Sequence, residues 1–166
     1  MIAPFDVNNP QLRTEFLASS VPGALSGLSP DHAPAWGHMS PQQMVEHLLW
    51  AMELSTGVVK VVCRLPAGLV ERFKRFLYTN DPTSHDFMNP LLKTGLPSLR
   101  FSSIGQAAAA LGDQTQVFLS GDGTAGGEHR VHPVFGPLDH DEWSRAHFKH
   151  FYHHLLQFGR LEEARG

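Results

Sequence analysis

The sequence predicts an all-α protein, a four-helix bundle, on three observations. Four helix-start signals each precede a segment whose apolar residues recur at helical spacing. β-Branched residues run together only at Val58-Val59-Lys60-Val61-Val62, a short stretch with no second run to pair with. The remaining stretches are rich in proline, glycine and serine, the composition of connections rather than of strands.

In chain order, Asn9-Pro10 supplies a cap and a proline at the first helical position, predicting a helix over 9–19. Residues 20–39 read as a surface connection. Ser40-Pro41-Gln42-Gln43 sets cap, proline and capping-box glutamine in register and predicts the second helix to about Thr56, before Gly57. Residues 57–101 form a long connection with an extra helix over 66–78, then an irregular segment with Pro82, Pro90 and Pro97. Ser103-Ile-Gly-Gln106 repeats the box and opens a third helix to about Leu119. Asp139-His140-Asp141-Glu142 opens the fourth, ending near Gly159.

At 166 residues the chain suits one domain, 1–166, large enough to fold on its own core. Charged residues are 17% and the net charge is −3, which argues against the basic footprint of a nucleic-acid binder. The single cysteine, Cys63, permits no internal disulfide and reads as a buried structural residue. Residues 1–20 lack a basic segment followed by an apolar one, and no run approaches a membrane span, so the expectation is a cytoplasmic protein.

Histidine carries the functional signal. The last helix holds His147, His150, His153 and His154 among aromatics. At about 100° per residue, His147, His150 and His154 share one stripe with Trp143, and His153 points about a quarter turn away. His150 and His154 are spaced i, i+4, so both imidazoles can reach one ion. On the second helix His47 lies in the apolar stripe with Met44, Leu48, Ala51 and Leu54, and so faces the core. Facing helices in a bundle build metal sites this way, and three neutral imidazoles suit zinc, nickel or iron with positions left open for water or substrate.

The expected metal ligands are therefore His47, His150 and His154. His147 can replace one of them or support one, and the spacing prefers neither role. Gln157, one turn beyond His154, can bond a ligand or close the bundle end. His132 precedes a proline near the start of the fourth helix, within reach of the site mouth. His32, His38, His85, His129 and His140 fall in loops or at caps and are expected in solvent. Glu46 adjoins His47, but the chain has no H-E-x-x-H and no inverted form of it, so protease chemistry is unsupported. Gly121-Asp-Gly123-Thr-Ala-Gly126 spells G-x-G-x-x-G, yet it follows a helix and leads into residues that cannot begin one, and reads as a turn. The amphipathic stretch 65–77 fits a helix capping the bundle, with a membrane-surface helix or a cationic lid as alternatives.

These residues resemble the DinB-like superfamily. His150-Phe-Tyr-His153-His154-Leu-Leu-Gln157 is similar to the H-x-x-H-H-x-x-Q pattern closing that superfamily's last helix. Met39-Ser-Pro-Gln-Gln-Met-Val-Glu-His47 resembles its second-helix segment, and His132-Pro-Val-Phe-Gly136-Pro-Leu before Glu142-Trp143 resembles an uncharacterised branch. The resemblance implies up-down-down-up connectivity, carries the metal ligands onto His47, His150 and His154, and makes a homodimer a possible assembly. It also implies metal-dependent transferase or hydrolase chemistry on a small molecule, with a low-molecular-weight thiol (mycothiol, bacillithiol or glutathione) as candidate co-substrate. A non-enzymatic metal- or ligand-binding stress protein of the same fold is the alternative.

Overall fold

The computed structural model describes residues 2–85, 95, 97–121 and 129–163. Among the described residues, six α-helices and four very short strands follow one another.

Strand β1 (Ile2–Ala3) pairs in parallel with β4 (Glu162–Glu163), and the Tyr152 hydroxyl donates to the Ala3 carbonyl at 2.9 Å, so both ends of the described chain are tied to the last helix. Helix α1 (Pro10–Glu15) starts where Asn9 accepts from the Leu12 amide. It does not stop at Ser19. A π-helical stretch, Phe16–Ser20, continues into α2 (Val21–Leu25), which buries Val21, Ala24 and Leu25. The expectation of a connection from residue 20 is corrected here: Pro22 stands in the first turn of α2, where no amide donor is needed, so proline does not signal a break.

Helix α3 (Pro41–Thr56) carries the full capping box. Ser40 Oγ accepts from the Gln43 amide, Gln43 Oε1 accepts from the Ser40 amide, and Gly57 at φ +79° ends the helix. The run at 58–62 forms no strand: Val58 and Val62 stay exposed, and no described segment pairs with it. Cys63 is half-buried rather than buried. Helix α4 (Ala67–Arg75) runs into a 3₁₀ turn, Phe76–Tyr78, whose Leu77 is fully buried. Lys74 fixes α4 by donating to the Pro137 carbonyl and pairing with Glu142 at 2.9 Å, so the amphipathic segment lies over the start of the last helix.

Helix α5 (Ile104–Ser120) is capped by Ser103, but its box is only half formed. Gln106 Oε1 accepts from the amide and hydroxyl of Ser102, one residue earlier than a box requires. The G-x-G-x-x-G stretch lies outside the described residues except Gly121, a left-handed residue ending α5. Strands β2 (Arg130–His132) and β3 (Gly136–Leu138) form an antiparallel hairpin leading into α6 (His140–Gln157), which opens on a complete box between Asp139 and Glu142.

The architecture is mostly helical, in line with the expectation, and the described residues add two small sheets that were not foreseen. Their strands are two or three residues long, too short to register as period-2 alternation. Helix α3 packs along α5 and against α6, while α1, the π-helical stretch and α2 close the remaining side against α6 and α5. One core joins them, with Phe16, Leu48, Phe118 and Phe148 at its centre.

Candidate metal centre

Two core helices bring three imidazoles to one point. His47 projects from the middle of α3, and His150 and His154 project from successive turns of α6. One ring nitrogen from each lies within 4.8 Å of the other two, and Nε2 of His47 and Nε2 of His150 are 2.8 Å apart. Two ring nitrogens at that distance cannot both present lone pairs. Either one ring carries its proton there or a cation sits among them.

The third ring is oriented from behind. His154 Nδ1 bonds Gln157 Oε1 at 2.8 Å, and Gln157 Nε2 donates to the Trp36 carbonyl at 2.8 Å. The amide oxygen can only accept, so His154 holds its proton on Nδ1 and presents a bare Nε2, as an outer partner does for a metal ligand.

Burial keeps these rings neutral. It pushes His47 down to about 4, with the neighbouring His153 adding to the effect. His150 and His154 lie well below the ordinary histidine value, first through burial and then through the charge each would share with His47. A neutral imidazole is the form that ligates.

The triad forms part of the wall of a cavity of about 430 Å³. Most of that wall's surface is apolar, with Trp50, Leu54, Leu77, Phe135 and Trp143 contributing, and most of its polar residues are histidines. No described lining residue is an aspartate or glutamate.

The other candidate residues sort by their hydrogen bonds. His147 is buried, stacks on Trp143 and bonds Ser55 Oγ through Nε2 at 2.8 Å, so it supports the wall and stays outside the triad. Burial pushes it down to about 3, with His132 and His140 contributing. His132 lines the cavity, but its Nδ1 accepts from the amides of Val134 and Phe135 and is occupied. Gln157 takes the supporting role. His153 leaves the stripe and meets Trp36 edge-on, with ring centres 5.6 Å apart.

Two histidines expected in solvent have ring partners instead. His85 stacks on Trp36 with ring centres 3.7 Å apart and lines the cavity, because Lys149 holds the preceding chain against α6 by donating to the Asp81 carbonyl at 2.7 Å. His140 is exposed at one edge but stacks on Phe118 and bonds its carbonyl. His32 closes a turn on Ser29. His38 and His129 are exposed, His38 at the cavity rim.

Sequence reasoning passed over Trp36, Ser55 and Lys149. The i, i+4 pair Lys149 and His153, one residue behind His150 and His154, was the available signal for the lysine. Trp36 stands in a glycine- and proline-rich loop that gives none. Nearby carboxylates are used elsewhere: Glu46 accepts from the amides of Arg100 and Phe101, and Glu53 takes the Arg100 guanidinium through two bonds of 2.7 and 2.8 Å.

Residues 123–160 match a sequence family described as a protein of unknown function (DUF1569). The match takes in β2, β3 and α6 with His150, His154 and Gln157, and leaves out His47. No curated protein and no solved structure matches the chain.

Proposed function

We propose that this chain is a DinB-like four-helix bundle in which His47, His150 and His154 hold one divalent transition metal, zinc, nickel or iron, for transferase or hydrolase chemistry on a small molecule. The observation that carries the reading is the convergence of three ligating nitrogens within 4.8 Å on the wall of a 430 Å³ cavity. The four-helix reading takes α1 with its π-helical continuation and α2 as the first arm, and α3, α5 and α6 as the others.

When bound, the metal lowers the pKa of a thiol or water toward neutrality and supplies the nucleophile. The protein's own residues do the rest. Gln157 fixes the His154 ring, burial holds the three imidazoles unprotonated, and the aromatic wall excludes water from the electrophile. A low-molecular-weight thiol is the proposed co-substrate, which fits a cytoplasmic setting. No helix among the described residues is long and apolar enough to cross a membrane.

The test is turnover of chlorodinitrobenzene with glutathione, mycothiol or bacillithiol, followed by absorbance as the sulfur–carbon bond forms and chloride leaves. The expected result is metal-dependent turnover with one of these thiols, abolished by a chelator and by His154→Ala. Metal-loaded protein inert toward every thiol and toward activated esters would make the chain a non-enzymatic metal-binding protein.

A further inference from the structure

The cavity holds a second polar feature apart from the triad. Lys149 is 3% exposed, yet its ammonium meets no carboxylate in the cavity wall. It donates one bond to the Asp81 carbonyl at 2.7 Å and stands 3.6 Å from the centre of the Phe76 ring. An ammonium has three donors, and although the exposed Asp81 carboxylate lies close enough to favour its charge, no described lining residue of the cavity neutralises it. One turn on, His153 lines the same wall. Against it lies Trp36, whose indole Nε1 is buried with no hydrogen-bond partner among the described residues, its ring stacked on His85. These four residues also line an adjoining cavity of about 180 Å³. Donors therefore gather where no described lining residue is acidic, opposite a wall of aromatic and aliphatic side chains. A divalent ion held by three neutral imidazoles would add two more positive charges.

We propose that the substrate of this cavity is an organic acid with an apolar body, and that Lys149, with the Trp36 indole N–H beside it, receives its carboxylate. The inference deepens the reading of the cavity as a small-molecule site and rests on it. In this arrangement the carboxylate lies along the Lys149–His153 ridge, the body lies against Trp50, Leu54 and Leu77, and the reacting carbon faces the triad.

All three tryptophans of the chain line the cavity, so their fluorescence reports occupancy. The probes are 3-phenylpropionate and its neutral isostere 3-phenylpropionamide, titrated into protein as purified and after chelator treatment. The expected result is saturable binding with the acid favoured at least tenfold over the amide in both preparations. Lys149→Met should bring the two probes to equal affinity, and Lys149→Arg, which keeps the cation, should preserve the preference. The proposal is overturned by equal binding of acid and amide, by no saturable signal with either, or by a preference that survives Lys149→Met. A preference present only before chelation also overturns it, and would assign the carboxylate to the ion instead. Elemental analysis of the protein as purified, and after it is supplied with zinc, nickel and iron, separates the two readings: acid preference in protein that takes up no ion sinks the metal centre and leaves the Lys149 site standing.

Discussion

In the first two turns of α6 the charged side chains are matched. Asp141 pairs with Arg13 and Arg145, and Glu142 accepts from Lys74, Tyr78 and the Asp139 amide. In the last two turns the polar side chains that face the core are imidazoles pointing at one another and at His47, with Gln157 behind and no acid in front. The same helix is thus closed by ion pairs at one end and left at the other with imidazole nitrogens whose partners are one another and Gln157. Matched groups stabilise a fold and leave nothing to bind with. Surplus donors and lone pairs have no structural reason to converge, which is why the second half of α6 is read as the site.

The contrast breaks first at the ligands. Replacing His150 or His154 by Ala should cut metal affinity by more than the roughly 10–100-fold that loss of an outer partner costs, while the protein still folds. Retained affinity, measured by metal titration with elemental analysis, would mean that the helix supplies a different pair.

Next comes the matched end. Arg13 is 2% exposed and bonds Ser144 as well as Asp141, so Arg13→Met should destabilise by about 1.5–3 kcal/mol, as loss of hydrogen bonds to a charged group does, without changing metal stoichiometry. The cost stays below that of stranding a buried charge, because Asp141 is 52% exposed and still pairs with Arg145. Denaturant melts check it, and a loss under 1 kcal/mol would show that the network is not structural.

Gln157→Leu should weaken metal binding by about 10–100-fold, since it frees the His154 ring to turn and change tautomer. Unchanged affinity would remove Gln157 from the site.

Acidification tests the neutral histidines without any ion. His147 is pushed down to about 3 in the fold and has an ordinary value of about 6.5 when unfolded. Between those values the unfolded chain binds a proton that the native state refuses. Metal-free protein should therefore be fully stable above about pH 6.5 and lose about 1.4 kcal/mol per pH unit below it from this group. Melting points equal at pH 7.5 and pH 5 would contradict buried neutral imidazoles.

The smallest effect expected is from His153→Ala, which should leave one ion per chain, because that ring packs edge-on against Trp36 and His154 without adding a nitrogen to the converging three. Loss of the ion there would place the ligand set on the wrong face of the helix.

Much of this was legible in the residues. Ser40–Gln43 and Asp139–Glu142 set helix starts that the structure keeps, and helical periodicity put His47, His150 and His154 on facing inner stripes. What escaped had no local code. The choice between His147 and the triad depended on Ser55, 92 residues away, which holds the His147 ring. Likewise, His85 and Trp36 meet through contacts distant in sequence, such as the bond by which Lys149 ties residue 81 to α6. Pro22 misled because a proline in the first turn of a helix looks, in sequence, like a proline in a loop.

The central claim is that His47, His150 and His154 bind one metal together, and X-ray absorption at the edge of the bound metal tests it most directly. Bound metal should have three imidazole nitrogens as nearest neighbours, at about 2.0–2.1 Å if the ion is zinc, and the signal should be lost in His154→Ala. A shell made of oxygens alone, or protein that binds no metal when purified without a nickel column and then supplied with zinc, nickel and iron, would contradict it.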